Sequence, residues 1–134
     1  MLNMWDERMA IESAIVRAVA FGKAARREGL LTLEEMLVLK DGFYRDDLFE
    51  YGMRLVIDGT DGELIDDLMS NIIKTESESD TQSTRTLKEI QKAACLAIQR
   101  GENPRILALR LTSYLTADHA KKVYKLLEGK DDTE

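Results

Sequence analysis

The sequence is short of the residues that staple a fold, break a helix or hold a metal. Its 134 residues include one cysteine, one proline and one histidine, and aromatic residues make up 6%. A single thiol, Cys95, cannot close an internal disulfide, and its setting in the apolar run AACLAI reads as a buried thiol. One histidine and one cysteine cannot complete a zinc set. The longest uninterrupted apolar run is Ala93 to Ile98, far below the roughly 18 residues of a membrane helix, so no membrane insertion is expected. The start MLNMWDERMA carries acidic residues where a signal peptide has a basic start and an apolar stretch. With the lone cysteine, this sets the expected location as the cytoplasm.

What is present is a charge-rich, helix-compatible composition, 44% apolar and 33% charged. A chain of this length buries about 70% of its unfolded surface, enough for a core without staples. The net charge of −6 is unevenly spread: residues 1–40 are neutral, residues 41–80 carry −9 and residues 81–134 carry +3. The acidic middle opposes general nucleic-acid binding, whereas segments of opposite sign can face each other within one molecule or between copies.

Apolar residues recur at helical spacing along most of the chain. From about Met4 to Glu28 the stripe is Ile11, Ala14, Ile15, Ala18, Val19 and Ala25, with Lys23, Arg26 and Arg27 suiting the negative helix end and Gly29 closing it. TLEE at 32–35 has capping-box spacing for a short helix through about Leu39, broken at Asp41 and Gly42. A third helix is expected from about Phe43 to Ile57, with Phe43, Leu48, Tyr51, Leu55 and Val56 in the core. TDGE at 60–63, again a capping-box spacing, starts a fourth with Leu64, Ile65, Leu68, Ile72 and Ile73 apolar. Residues 75–86, TESESDTQSTRT, contain no apolar side chain and read as a linker or helical overhang.

Beyond it, Leu87, Ile90, Ala94 and Ile98 define a helix ending at Gly101, and Asn103 with Pro104 is a cap followed by a first-turn proline. Ile106, Leu107, Leu109, Leu111, Tyr114 and Leu115 make the next helix apolar nearly all round, so it is expected at a lobe centre. Thr116 caps a last helix with Ala120, Val123, Tyr124 and Leu127. The expected fold is all-α, about seven helices with no sheet, in one domain or two closely packed lobes. The expected divisions are a lobe over 1–74, a linker over 75–86, a lobe over 87–129 and a frayed tail over 130–134.

Few side chains are placed for chemistry. His119, the fourth residue counted from Thr116, is expected in an exposed first helical turn, and a Cys95–His119 pair lacks the setting that activates a thiolate. The acidic pairs at Asp46 and Asp47, Asp58 and Asp61, and Asp66 and Asp67 read as caps and a solvated face; neither a calcium-loop spacing nor a phosphate-cradling glycine loop is present. No catalytic residue, cofactor, metal or small-molecule substrate is expected. Arg100, Arg105, Arg110, Lys121, Lys122 and Lys125 make the C-terminal part basic, but a DNA-reading helix needs an exposed polar face, and 106–115 is mostly apolar.

Two stretches carry a resemblance. AARREGLLTLEE at 24–35, followed by YGMRLVIDGTDGELIDDLM at 51–69, resembles the cytoplasmic loop of the flagellar stator protein family MotA. There an R..G...LE pattern precedes a helix ending in LV.DG.D and another of the form E.I...L. AIQRGENPRILALRLTSYL at 97–115 is similar to the same family's C-terminal cytoplasmic tail, in which IQ.G.NPR precedes a leucine-rich helix. The two occur in family order, and the resemblance covers about residues 11–127. The departure is the membrane part: the family has two membrane helices before the loop and two between loop and tail, where this chain has residues 75–86. Ion conduction therefore does not carry over.

The family's loop touches the rotor switch protein FliG through an arginine before the glycine and a glutamate after it. The resemblance assigns those positions to Arg26, with Arg27 as substitute, and Glu34. It implies a protein–protein interaction module of the motility apparatus, an adaptor or regulator that meets FliG or stator components. The alternatives are a self-assembling scaffold of stator-like ancestry, forming a homo-oligomer, and a helical nucleic-acid-binding protein.

Overall fold

In a computed structural model, which describes residues 4–38 and 43–131, the chain is all-helical, with six α-helices, one 3₁₀ helix and no strand among the described residues. The helices are α1 (Met4–Glu28), a 3₁₀ helix (Leu30–Met36), α2 (Leu48–Ile57), α3 (Gly62–Glu76), α4 (Gln82–Gln99), α5 (Pro104–Thr112) and α6 (Ala117–Asp131). The long helices α1 and α4 pack on each other. α2 and α3 cover α4, the 3₁₀ helix bridges α1 and α2, and α5 and α6 lie against α1. None of these helices is long and apolar enough to cross a membrane.

Local chemistry explains most boundaries. α2 and α4 end alike, with Gly59 and Gly101 at φ 80° and 76°. In each, the next amide reaches back across the turn, Thr60 to the Leu55 carbonyl and Glu102 to the Ala97 carbonyl, both at 3.0 Å. This is a Schellman closure that a side chain with a Cβ resists. At the start of α5, the Asn103 side chain accepts from the Arg105 amide at 2.8 Å and Pro104 occupies the first turn. The Thr116 hydroxyl caps α6 by accepting from the His119 amide at 3.3 Å.

Other expectations fail for identifiable reasons. α2 starts at Leu48, not near Phe43, because the Asp47 carboxylate caps it by accepting from the Glu50 amide. Phe43 is exposed, its ring edge on Tyr51 with centroids 5.8 Å apart. α3 starts at Gly62 after Asp61 without a side-chain cap, so the TDGE spacing makes no capping box. At 32–35 the chain forms a 3₁₀ helix from Leu30, and Thr32 hydrogen bonds to the Glu28 carboxylate instead. The proposed break at Asp41 and Gly42 lies outside the described residues. α6 continues through Gly129 to Asp131, beyond the expected start of fraying.

The polar stretch 75–86 is mostly built into helices. Thr75 and Glu76 finish α3, residues 77–80 turn, and Thr81 caps α4 by accepting from the Thr84 amide at 3.1 Å. Arg85 donates to the Ser77 and Asp80 carbonyls at 2.8 and 2.6 Å, and the Lys88 ammonium meets the Glu76 and Asp80 carboxylates at 2.6 and 2.5 Å. The result is a clamped helical hairpin whose apolar faces join one core. Ile65, Met69, Ile72 and Ile73 of α3 and Ile90 and Ala94 of α4 share it with Ile15 of α1, Leu107 of α5 and Val123 of α6.

α5 is not central. Its Leu107 and Leu111 are fully buried, but Ile106 is 48% exposed and Leu109 56%, and Tyr114 beyond it is also exposed. The helix packs on α1 and α4, and its Thr112 hydroxyl meets the Tyr124 hydroxyl of α6 at 3.0 Å, while Ile106 and Leu109 are left outside. Leu64, one of the apolar residues of α3, is 49% exposed.

Candidate functional site

The residues singled out by the resemblance lie around the corner where α1 gives way to the 3₁₀ helix. Gly29 turns this corner with φ 92°, its amide bonding back to the Ala25 carbonyl at 2.9 Å. Arg26 and Arg27 are exposed on the last turn of α1. The Arg26 guanidinium donates to the Gly101 carbonyl at 3.3 Å, joining the corner to the turn between α4 and α5. A hollow of about 150 Å³ lies there, lined by Gly22, Ala25, Arg26, Ile98 and Gly101 among others.

Glu34 looks the other way. It is exposed, and its carboxylate pairs with Arg54 of α2 at 3.1 Å, where the arginine side chain is only 11% exposed. Arg26 and Glu34 thus engage different neighbours, one α5-side and one α2-side. Between them Leu31 projects from the 3₁₀ helix at 78% exposure, with Val38 at 76% shortly after it. Sequence reasoning missed both. In this short segment Leu33 and Leu37 are buried and Leu30 packs partly against the core, which leaves Leu31 and Val38 facing outward.

Two charged networks also escaped the sequence reading. Arg17 of α1 lies over the Phe21 and Phe49 rings and reaches Asp47 at 2.8 Å and the buried Glu50 carboxylate. Glu50 also accepts from the Val38 amide at 2.7 Å, so one buried carboxylate holds α1, α2 and the segment after the 3₁₀ helix together. The second corrects the placement of His119. It is buried, 8% exposed, with Nε2 2.8 Å from the buried Glu12 carboxylate of α1, and Lys122 approaches the same carboxylate at 3.5 Å. This pair ties α6 to α1.

Cys95 is fully buried, as its run implies, and its thiol donates weakly to the Phe49 carbonyl at 3.5 Å. Burial, with Asp47 adding to it, pushes the thiol far above its ordinary range. With Cys95 on Phe49 and His119 on Glu12, the two form no nucleophilic pair. Among the described residues no three His, Cys, Asp or Glu side chains converge as a metal site would require. The described surface carries an exposed cationic corner at Arg26 and Arg27, exposed apolar side chains at Leu31 and Val38, and a strongly acidic helix, α3. Comparison with known proteins finds no family model that matches the chain and no matching curated protein.

Proposed function

We propose that the chain is a protein–protein interaction module of a motility apparatus, a MotA-like adaptor or regulator that binds rather than catalyses and conducts no ions. In this reading it works in the cytoplasm and meets FliG or a stator component through Arg26, Arg27 and Glu34. The observation that carries the reading is the mutual packing of the three resembling segments. Arg26 of 24–35 bonds to Gly101 of 97–115, Glu34 of 24–35 pairs with Arg54 of 51–69, and a Cβ on Gly62 of 51–69 would come within 2.9 Å of the Gln99 side chain of 97–115. The loop-like and tail-like segments, which the family separates in sequence by two membrane helices, here pack on each other.

The test is binding of the purified chain to purified rotor switch and stator proteins, with Arg26→Ala and Glu34→Ala as variants. Each variant is expected to bind roughly tenfold more weakly, about 1.4 kcal/mol, with its helical circular dichroism unchanged. Binding partners found only outside motility, or variants that bind as well as the parent, would overturn the reading.

A further inference from the structure

α3 and α6 lie on opposite sides of the molecule, for α3 packs on α2 and α4, α6 packs on α1, and the α1–α4 pair stands between. On the α6 side, α1 shows an uncovered stripe of Met9, Ser13, Val16 and Ala20, at helical spacing and exposed or half-buried. Together with Leu126 this stripe lines a groove of about 720 Å³. A second hollow of about 290 Å³ shares Val19, Lys23 and Leu127 with it and extends to Leu109 and Arg105 of α5.

The charge around this groove is mainly positive. Lys23 lines both hollows and Arg105 the second; Arg17, which lines the first, is held by Asp47 and Glu50, and on the surface of α6 Lys121 and Lys125 are exposed. Against them stand the exposed Asp118 and Glu128, while Glu12 beneath is already engaged by His119 and Lys122. The far side of the molecule has the opposite character. Asp58, Asp61, Glu63, Asp66 and Asp67 are all exposed on α3 or just before it, Lys74 is the one cation of that helix, near its other end, and Lys92 of α4 reaches Asp66 at 3.5 Å. Leu64, Asp67 and Asn71 follow the spacing of one helix face, with Leu64 49% exposed, while Leu68 beside them is half-buried against the core.

We propose that the chain associates head to tail with itself: the outer face of α3 on one copy seats in the α1–α6 groove of the next. Leu64 meets Met9, Ala20 and Leu126, and the carboxylates of α3 face Arg105, Lys121 and Lys125. A second copy is the occupant because one chain carries both complementary faces, an apolar groove with cations beside it and an exposed leucine among carboxylates. The two faces differ, so the contact is heterologous and leads to a closed ring or a growing chain. The proposal is independent of the motility reading, and either can fail alone.

Sedimentation velocity over a wide concentration range tests it, first with the parent protein. Its mean mass is expected to rise with concentration, and less steeply in high salt, as the screening length falls from about 30 Å near 10 mM to about 3 Å near 1 M. Ala20→Glu blocks the groove and Leu64→Glu blocks the α3 face; both sites are exposed, so the fold is spared. Each variant alone should remain a monomer, and their mixture should form a 1:1 dimer that grows no further. Arg105→Glu should weaken association roughly tenfold, and adding Asp67→Lys should recover it. A parent that is monomeric at every concentration and salt overturns the proposal. So does a blocked variant that associates like the parent, or a mixture that yields no dimer.

Discussion

Residues 75–86 and 106–115 present opposite sequences and nearly opposite fates. The first has no apolar side chain, yet it ends one helix, turns and starts another, held by Arg85 and Lys88. The second is apolar nearly all round, yet Ile106 and Leu109 stand about half exposed. The difference shows that apolar content does not decide burial. The α3–α4 hairpin is buried on its inner faces because α1 and α2 lie against α4, and its polar turn is closed by its own charges and by the Thr81 hydroxyl donating to Glu7 of α1 at 2.6 Å. α5 packs on α1 and α4 and leaves Ile106 and Leu109 outside.

Substitution at equivalent residues gives the largest expected effect on this contrast. Ile90, fully buried in α4, should cost about 2–5 kcal/mol when changed to Ala. Ile106→Ala should stay within about 0.5 kcal/mol. Chemical denaturation of the two variants reads both numbers, and similar losses would erase the contrast.

A second large effect is expected where the hairpin meets α2. A Cβ on Gly52 would lie 2.5 Å from the Cys95 sulfur and 2.7 Å from the Met69 sulfur. Gly52→Ala should therefore lower stability by about 1–3 kcal/mol through overpacking, measured as a lower denaturation midpoint with unchanged slope. Lys88→Ala is expected to have a smaller effect, about 1 kcal/mol, since it removes hydrogen bonds to Glu76 and Asp80.

The smallest expected effect separates the two regions by pH. Burial lowers the Lys88 pKa, but its hydrogen bonds to Asp80 and Glu76 outweigh this and leave it above 10.5. Its contribution is complete below the ordinary lysine value and fades as pH rises through the raised one. In the turn between α4 and α5, Arg110 makes two hydrogen bonds of 2.7 Å to Glu102, which with Arg100 hold that carboxyl below 4.5 against the opposing effect of burial. Its contribution is complete above the ordinary glutamate value and fades as pH falls through the lowered one. Lys88→Met should flatten the alkaline limb of the stability profile alone, and Glu102→Gln the acid limb alone.

The parts of the fold legible in sequence are those fixed by near neighbours. The span of α1, the Asn103–Pro104 start of α5 and the glycine ends of α2 and α4 each depend on residues within a turn or two. The TDGE spacing shows the limit even there, because Asp61 begins α3 without a side-chain bond. The pairing of His119 with Glu12 spans 107 residues, and no local pattern carries it. Arg26, Arg27 and Glu34 came from the resemblance alone; the reach of Arg26 to Gly101, 75 residues on, depends on how α1 and α4 pack.

The central claim is that the helices before and after the polar turn form one body. A protease site placed at Ser79 and Asp80, outside the Thr81 cap, tests it most directly. After cleavage the two fragments should elute together from a sizing column, with helical content and cooperative unfolding retained. Fragments that separate and each remain folded would contradict the account.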